Sequence, residues 1–188
     1  MQLPESPKHT ISATEPDWSR EQRAGFWSWQ PSRALLAAIR CWQRHEARPW
    51  GLLSSVISKV AVFRYRFWTV ITGTDIPINA NLGGGLLIPH PNGVVIHPAA
   101  SIGPNCLLFQ QVTIGATAHG VPVLGGHVDV GAGAKIIGPI RIGNHVRIGA
   151  NAVVTQDVPD GATAVGIPAR VVAHKASPDD DAFVFPER

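Results

Sequence analysis

The stretch IPHPNGVVIHP, residues 88–98, sets His90 between two prolines and shortly before an Asn-Gly pair. Imidazole is the side chain whose ordinary pKa suits a general base near neutral pH. Pro89 and Pro91 stiffen its loop, and Gly93 permits a sharp return of the chain. Fifteen residues upstream stands Asp75. A carboxylate against one ring nitrogen keeps that nitrogen protonated and leaves the other free to accept a proton, an arrangement used in acyl-transfer sites. The chemistry such a pair supports is proton removal from a hydroxyl as it attacks. The competing structural roles are a corner hydrogen bond for His90 and, for Asp75, capping of its own turn before Pro77. His97, in IHPAASIG, is expected to be a structural corner residue.

A pair so far apart in sequence needs a rigid element to bring it together, and the sequence carries one. Ile76, Leu82 and Ile88 are six apart; so are Ile96, Ile102, Leu108 and Ile114; so are Leu124, Val130, Ile136, Ile142, Ile148 and Val154. Two residues ahead of many of these runs a second small or apolar series: Ala100, Cys106, Val112, Val128, Ala134, Ile140, Val146 and Ala152. Period six fits neither an amphipathic α-helix nor a hairpin ladder. It fits a three-sided left-handed parallel β-helix with one short strand per side, in which aliphatic residues stack inward about 4.8 Å apart from coil to coil. The lattice slips twice, by two residues between Ile88 and Ile96 and by four between Ile114 and Leu124. Extra residues must leave the prism as loops, the usual seat of function on a rigid scaffold. Three lattice steps carry Ile76 onto Ile96, so Asp75 is expected beside the corner that the His90 loop overhangs.

The rest of the chain sets limits. Its 188 residues allow one substantial core with an appended segment. A net charge of +3 is too modest for a nucleic-acid binder. Residues 1–24 are polar and Pro-containing and read as disordered. Residues 25–72 read as a helical segment, with helices over about 32–46 and 50–70; Leu35, Leu36, Ile39 and Trp42 form one apolar stripe. This segment mixes Arg with Trp, which leaves contact with a membrane surface open beside the plainer reading of arginines on the outer faces of packed helices. Residues 73–173 form the β-helix domain and 174–188 a polar, acidic tail. The two cysteines, Cys41 and Cys106, suggest neither a disulfide framework nor a zinc site, and no signal-type or spanning segment is evident. A cytoplasmic protein is the expectation.

The six-residue repeats, with GTDIPINANLGGGLLIPHPNGVVI, FQQVTIG, VGAGAKIIGPIRIGNHVRIGANAVV and the terminal GIPARVV, resemble the hexapeptide-repeat acyltransferases, and among them the serine acetyltransferase branch, over residues 73–172. The resemblance implies an acetyl-CoA-dependent O-acetyltransferase converting L-serine to O-acetylserine, with His90 as catalytic base and Asp75 orienting it. It implies acetyl-CoA as co-substrate, held by Gly115, Ala116, Ala132 and Gly133, with Arg147 toward its phosphates, and no metal. It also implies a homotrimer with sites between subunits, with a dimer of trimers as a further step. The second slip, GATAHGVPVLGGHV, is expected as an extended loop in which the family places an Arg-His pair for the acceptor carboxylate. Gly120 and Val121 occupy those positions here, and His119 is the nearby substitute. Pro89 stands where serine enzymes place Asp. These departures keep an alternative open: a small-molecule acceptor that is a sugar hydroxyl in polysaccharide assembly. A non-catalytic scaffold or a carbonic anhydrase of this fold is a third reading, but His90, His97, His119 and His127 do not reproduce a three-histidine metal pattern.

Overall fold

The computed structural model describes residues 11–22, 25, 29–46 and 51–172. Helix α1, Pro31–Glu46, begins on a proline, whose missing N–H costs nothing in a first turn, and ends with Arg44 and His45 against the carbonyl end of its dipole. Helix α2, Gly51–Thr72, follows and leads directly into the prism. Tyr65 of α2 donates its hydroxyl to the carbonyl of Ile76, tying the helix to the first coil (2.9 Å).

From Ile76 onward the chain is a left-handed parallel β-helix of three faces. The first face stacks Val95–Ile96, Thr113–Gly115, Lys135–Ile137 and Val153–Val154, with Asp75 bridged to Val95 at its top. The second stacks Asn81–Leu82, Ser101–Ile102, Val123–Leu124 and Arg141–Ile142. The third stacks Leu107–Leu108, Asp129–Val130, Arg147–Ile148 and Thr163–Val165. The register matches the lattice read from sequence. Ile96, Ile114, Ile136 and Val154 are mutual partners, as are Leu82, Ile102, Leu124 and Ile142. All of these are buried, and the second apolar series fills the space between them. Arg170–Val172 turns back antiparallel onto Thr163–Val165, which covers the open strand edge of the third face.

The lattice yields at a third place that the sequence reading missed, because here it shortens. Val158, four residues after Val154, takes the second-face position beside Ile142, and Ala164 then resumes the third face. Asp157 and Asp160 accept the backbone N–H groups of Arg141 and Asn144 (both 2.8 Å), closing the tightened turn.

The N-terminal reading also needs correction. Residues 11–22 are ordered against the edge where the second face meets the third; residues 1–10, 23 and 24 lie outside the described residues. The physical reason is Asn105, fully buried at a left-handed corner (φ 60°). Its Oδ1 accepts the N–H of Asp17 (2.7 Å), and its Nδ2 donates to the carbonyls of Ser12 (2.7 Å) and Glu15 (2.8 Å). Gly84 and Gly126 make room for this strap: a Cβ at Gly84 would stand 2.6 Å from the Trp18 ring, and one at Gly126 only 1.8 Å from the carbonyl oxygen of Ala13. Beneath the same edge Cys106 is fully buried, and burial pushes its thiol up to about 12.

Arg40 locks strap, helix and prism together. Its guanidinium pairs with both oxygens of Glu21 (2.9 and 3.1 Å) and donates to the carbonyls of Leu82 (2.7 Å) and Gly83 (2.6 Å). Each side chain of the pair is only 9% exposed. Glu21 in turn accepts the N–H of Leu86 (3.1 Å). Removing one partner strands the other charge in a low-dielectric site. Arg40→Ala is therefore expected to lower unfolding free energy by about 3–5 kcal/mol. A urea titration checks this, and a loss below about 1 kcal/mol would show that the network contributes little.

Candidate active site

The first insertion leaves the prism at the edge between the third face and the first. Pro91 and Val94 close its turn (Val94 N–H to Pro91 carbonyl, 3.2 Å), and Gly93 donates to the carbonyl of Gly73 (2.9 Å). His90 projects from this loop and is exposed. Asp75 is hydrogen-bonded into the same edge: its N–H donates to Val94 (2.8 Å) and its carbonyl accepts from Ile96 (2.9 Å). Its side chain points outward because its neighbour Ile76 points into the core. The lattice thus brings the two predicted residues to one edge. Their side chains are not hydrogen-bonded to each other; the rigid backbone supplies the proximity.

His97 is structural, as expected: its Nδ1 accepts the N–H of Ala99 (3.2 Å), closing the corner. The stack below the His90 loop runs Asn92, Gln110, Ala132 and Ala150, followed at each level by a left-handed residue, Gly93, Gln111, Gly133 and Asn151. Ala132 and Gly133 therefore lie on the His90 edge, two coils down. At Gly133, φ is 73° and a would-be Cβ would stand 2.2 Å from Oδ1 of Asn151, so glycine relieves both the backbone and the close approach. Gln110, between Asn92 and Ala132, was not singled out from the sequence. Its Oε1 is buried without a hydrogen-bond partner among the described residues. The available signal was a large amide at a level where other coils carry Ala132 and Ala150.

Gly115 and Ala116 lie at the other end of the first face. Nothing in the chain requires glycine at 115: a Cβ would make only ordinary contacts, 3.7 Å from Thr113 and 3.9 Å from Ile137. Next to them is the second insertion, and it is not the extended loop that the residue count suggested. Thr117 and Gly120 pair with each other (2.9 and 3.2 Å), so four extra residues are consumed by one closed turn. His119 is exposed in that turn. Within one chain the first face separates His119 from His90, so the two do not converge.

Arg147 projects from the third face, directly opposite Asp129 in register. Burial raises the Asp129 carboxyl above its usual range, an effect that the positive charges of Arg147 and then Arg20 of the strap offset only in part. A groove of about 480 Å³ on the second face, between Arg141 and Asp160, is on a different face from His90 and Asp75. Among the described residues no group of three or more His, Cys, Asp or Glu is placed to hold a metal.

No family model matches the chain. Individual relatives do. A serine acetyltransferase of Synechococcus elongatus is 44% identical over 130 residues, 62% of this chain and 53% of that one. One of Helicobacter pylori is 40% identical over 146 residues, 73% of this chain and 80% of that one. The chain therefore spans about half the length of the first relative and four fifths of the second. Among solved structures, a serine acetyltransferase in complex with CoA matches with a TM-score of 0.63 at 32% identity, over 77% of this chain and 58% of that one. A soybean serine acetyltransferase complexed with serine matches at 0.59 and 34%, over 76% and 56%. With a relative of this identity covered over most of its length, and a β-helix whose protruding loop carries His90 beside Asp75, the chain belongs to the serine acetyltransferase family.

Proposed function

We propose that this protein is an acetyl-CoA-dependent serine O-acetyltransferase, converting L-serine and acetyl-CoA to O-acetylserine and CoA as a step of cysteine biosynthesis in the cytoplasm. The observation that carries this is the His90 loop, braced by hydrogen bonds on the edge that also holds Asp75, in a chain of this family. The solved relatives complexed with CoA and with serine support both substrates.

In this reading His90 takes the serine hydroxyl proton as the oxygen attacks the thioester carbonyl. The tetrahedral intermediate collapses by breaking the carbon–sulfur bond, and the imidazolium returns its proton to the departing CoA sulfur. Asp75 is the positioning residue, holding one ring nitrogen protonated. Ala132 and Gly133 provide close backbone approach for the cofactor on the His90 edge. Gly115 and Ala116 provide it at the far end of the first face, and His119 faces the acceptor. Because the first face separates these groups, the complete site is assembled between neighbouring copies, most simply in a homotrimer. Arg147, on the third face opposite Asp129, supplies positive charge for the cofactor phosphates.

A sugar hydroxyl as acceptor is favoured by one observation: the turn at 117–120 closes on itself, and Gly120 and Val121 present no cation to an amino-acid carboxylate. Both readings use His90 in the same way.

CoA release measured with L-serine against a panel of sugars separates the acceptors, with serine expected to be turned over; activity on sugars alone would transfer the assignment. His90→Ala is expected to lower kcat about 10²- to 10⁴-fold, and Asp75→Asn to reshape the pH profile of kcat with little effect on KM. Full turnover by His90→Ala would end the general-base mechanism. Gly115→Ala is expected to leave the unfolding midpoint unchanged and raise KM for acetyl-CoA. A lowered midpoint with unchanged KM would make Gly115 a folding residue only. Light scattering is expected to give the mass of three chains; a monomer would contradict the shared site.

A further inference from the structure

Helix α2 is apolar on two sides. Its buried and half-buried positions include Ile57, Ala61, Val62, Tyr65 and Trp68, of which Tyr65 and Trp68 pack against the core, alongside Ser54, Ser58, Thr69 and Thr72. Its solvent face carries Val56, Val60, Phe63, Phe67, Val70 and Ile71, with Phe63 73% and Val70 82% exposed. The spacing alternates four and three from Val56 to Val70, so these side chains form one continuous stripe along the helix. Phe67 of the stripe packs edge-on against Trp68 (5.1 Å), a half-buried residue seated on the core, and Trp68 meets the largely exposed Trp29 (5.7 Å). An apolar stripe of this length left to water is an interaction surface.

The charges identify what it meets. Lys59 and Arg66 are exposed on the same face, seven residues apart, and the remaining charge of the helix is Arg64. No Asp or Glu occurs in α2. A second copy of the helix laid on this face, parallel or antiparallel, would set cations among cations. A negatively charged lipid surface answers them: the apolar side chains enter the headgroup–acyl boundary, aromatic rings sit at that depth, and Lys and Arg meet lipid phosphates. No helix among the described residues is long and apolar enough to cross a membrane, so contact with lipid would run along the surface and not across it. We propose that the exposed face of α2 seats this protein on an anionic membrane surface. The proposal does not depend on which acceptor the active site takes.

The test uses the full chain and two vesicle preparations, phosphatidylcholine alone and phosphatidylcholine mixed with phosphatidylglycerol. Co-sedimentation is expected with the mixed vesicles only, weakening as salt rises. The double substitution Phe63→Ser with Phe67→Ser is expected to weaken binding about 100-fold, about tenfold for each ring withdrawn from lipid. Lys59→Gln and Arg66→Gln are each expected to weaken it about fivefold. Both rings are exposed, so acetyl transfer and the thermal midpoint are expected to be unchanged and to act as the folding control. Absence of binding to the mixed vesicles, or equal binding to both preparations, would overturn the proposal. So would an oligomer in sedimentation velocity that the Phe double substitution dissolves while vesicles remain unbound, since the stripe would then serve a second copy.

Discussion

The constraint on which everything else depends is the stacking of one inward aliphatic residue on its equivalent in the next coil. Each such side chain, fully removed from water, contributes about 1.5–3 kcal/mol. Parallel pairing is satisfied only if the residues between two equivalents leave the register intact. Ile96 on Ile114 on Ile136 on Val154 is one of three such columns. Because the columns cannot slip, additional residues have nowhere to go except outward at an edge. The His90 loop and the Thr117–Gly120 turn are products of that rule, as is the tightened turn at Val158, where two residues are missing and two aspartates take up backbone donors.

The same rigidity explains how His90 and Asp75, fifteen residues apart in sequence, come to one prism edge. Asp75 is fixed by two backbone hydrogen bonds to the strand that follows the His90 loop. The loop is short, flanked by prolines and pinned at Gly93. A prism edge of this kind offers a preorganised backbone while leaving the imidazole itself exposed.

Outside the prism, the chain is organised by two buried polar anchors. Asn105 satisfies three backbone groups of the strap with one amide, and Arg40 binds Glu21 and two carbonyls of the first coil. Both are fully compensated, which is the condition under which burying such groups is tolerated. Leu35, Leu36 and Ile39 of α1 and Tyr65 and Trp68 of α2 pack against the prism core, and a second apolar face of α2, from Val56 to Val70, is left facing out.

The β-helix, its register over thirteen positions, the two insertions and the pairing of Asp75 with the His90 edge were legible in the sequence because period six is a local pattern with one geometric solution. The two helices were legible from the periodicity of their apolar residues. What only the tertiary structure decided are the relations without a period. Residues 11–22 look disordered because they are polar and lack an apolar rhythm, yet a single distant Asn orders them. Four extra residues after Ile114 are consistent with an extended loop or a closed turn, and the hydrogen bond from Thr117 to Gly120 selects the turn. Arg147 carries the right charge for a phosphate, and only the fold shows that its neighbour across the strands is Asp129, eighteen residues away in sequence. Repetition is written along the chain, whereas partnership between single side chains is written in which coil they land on and which face they share.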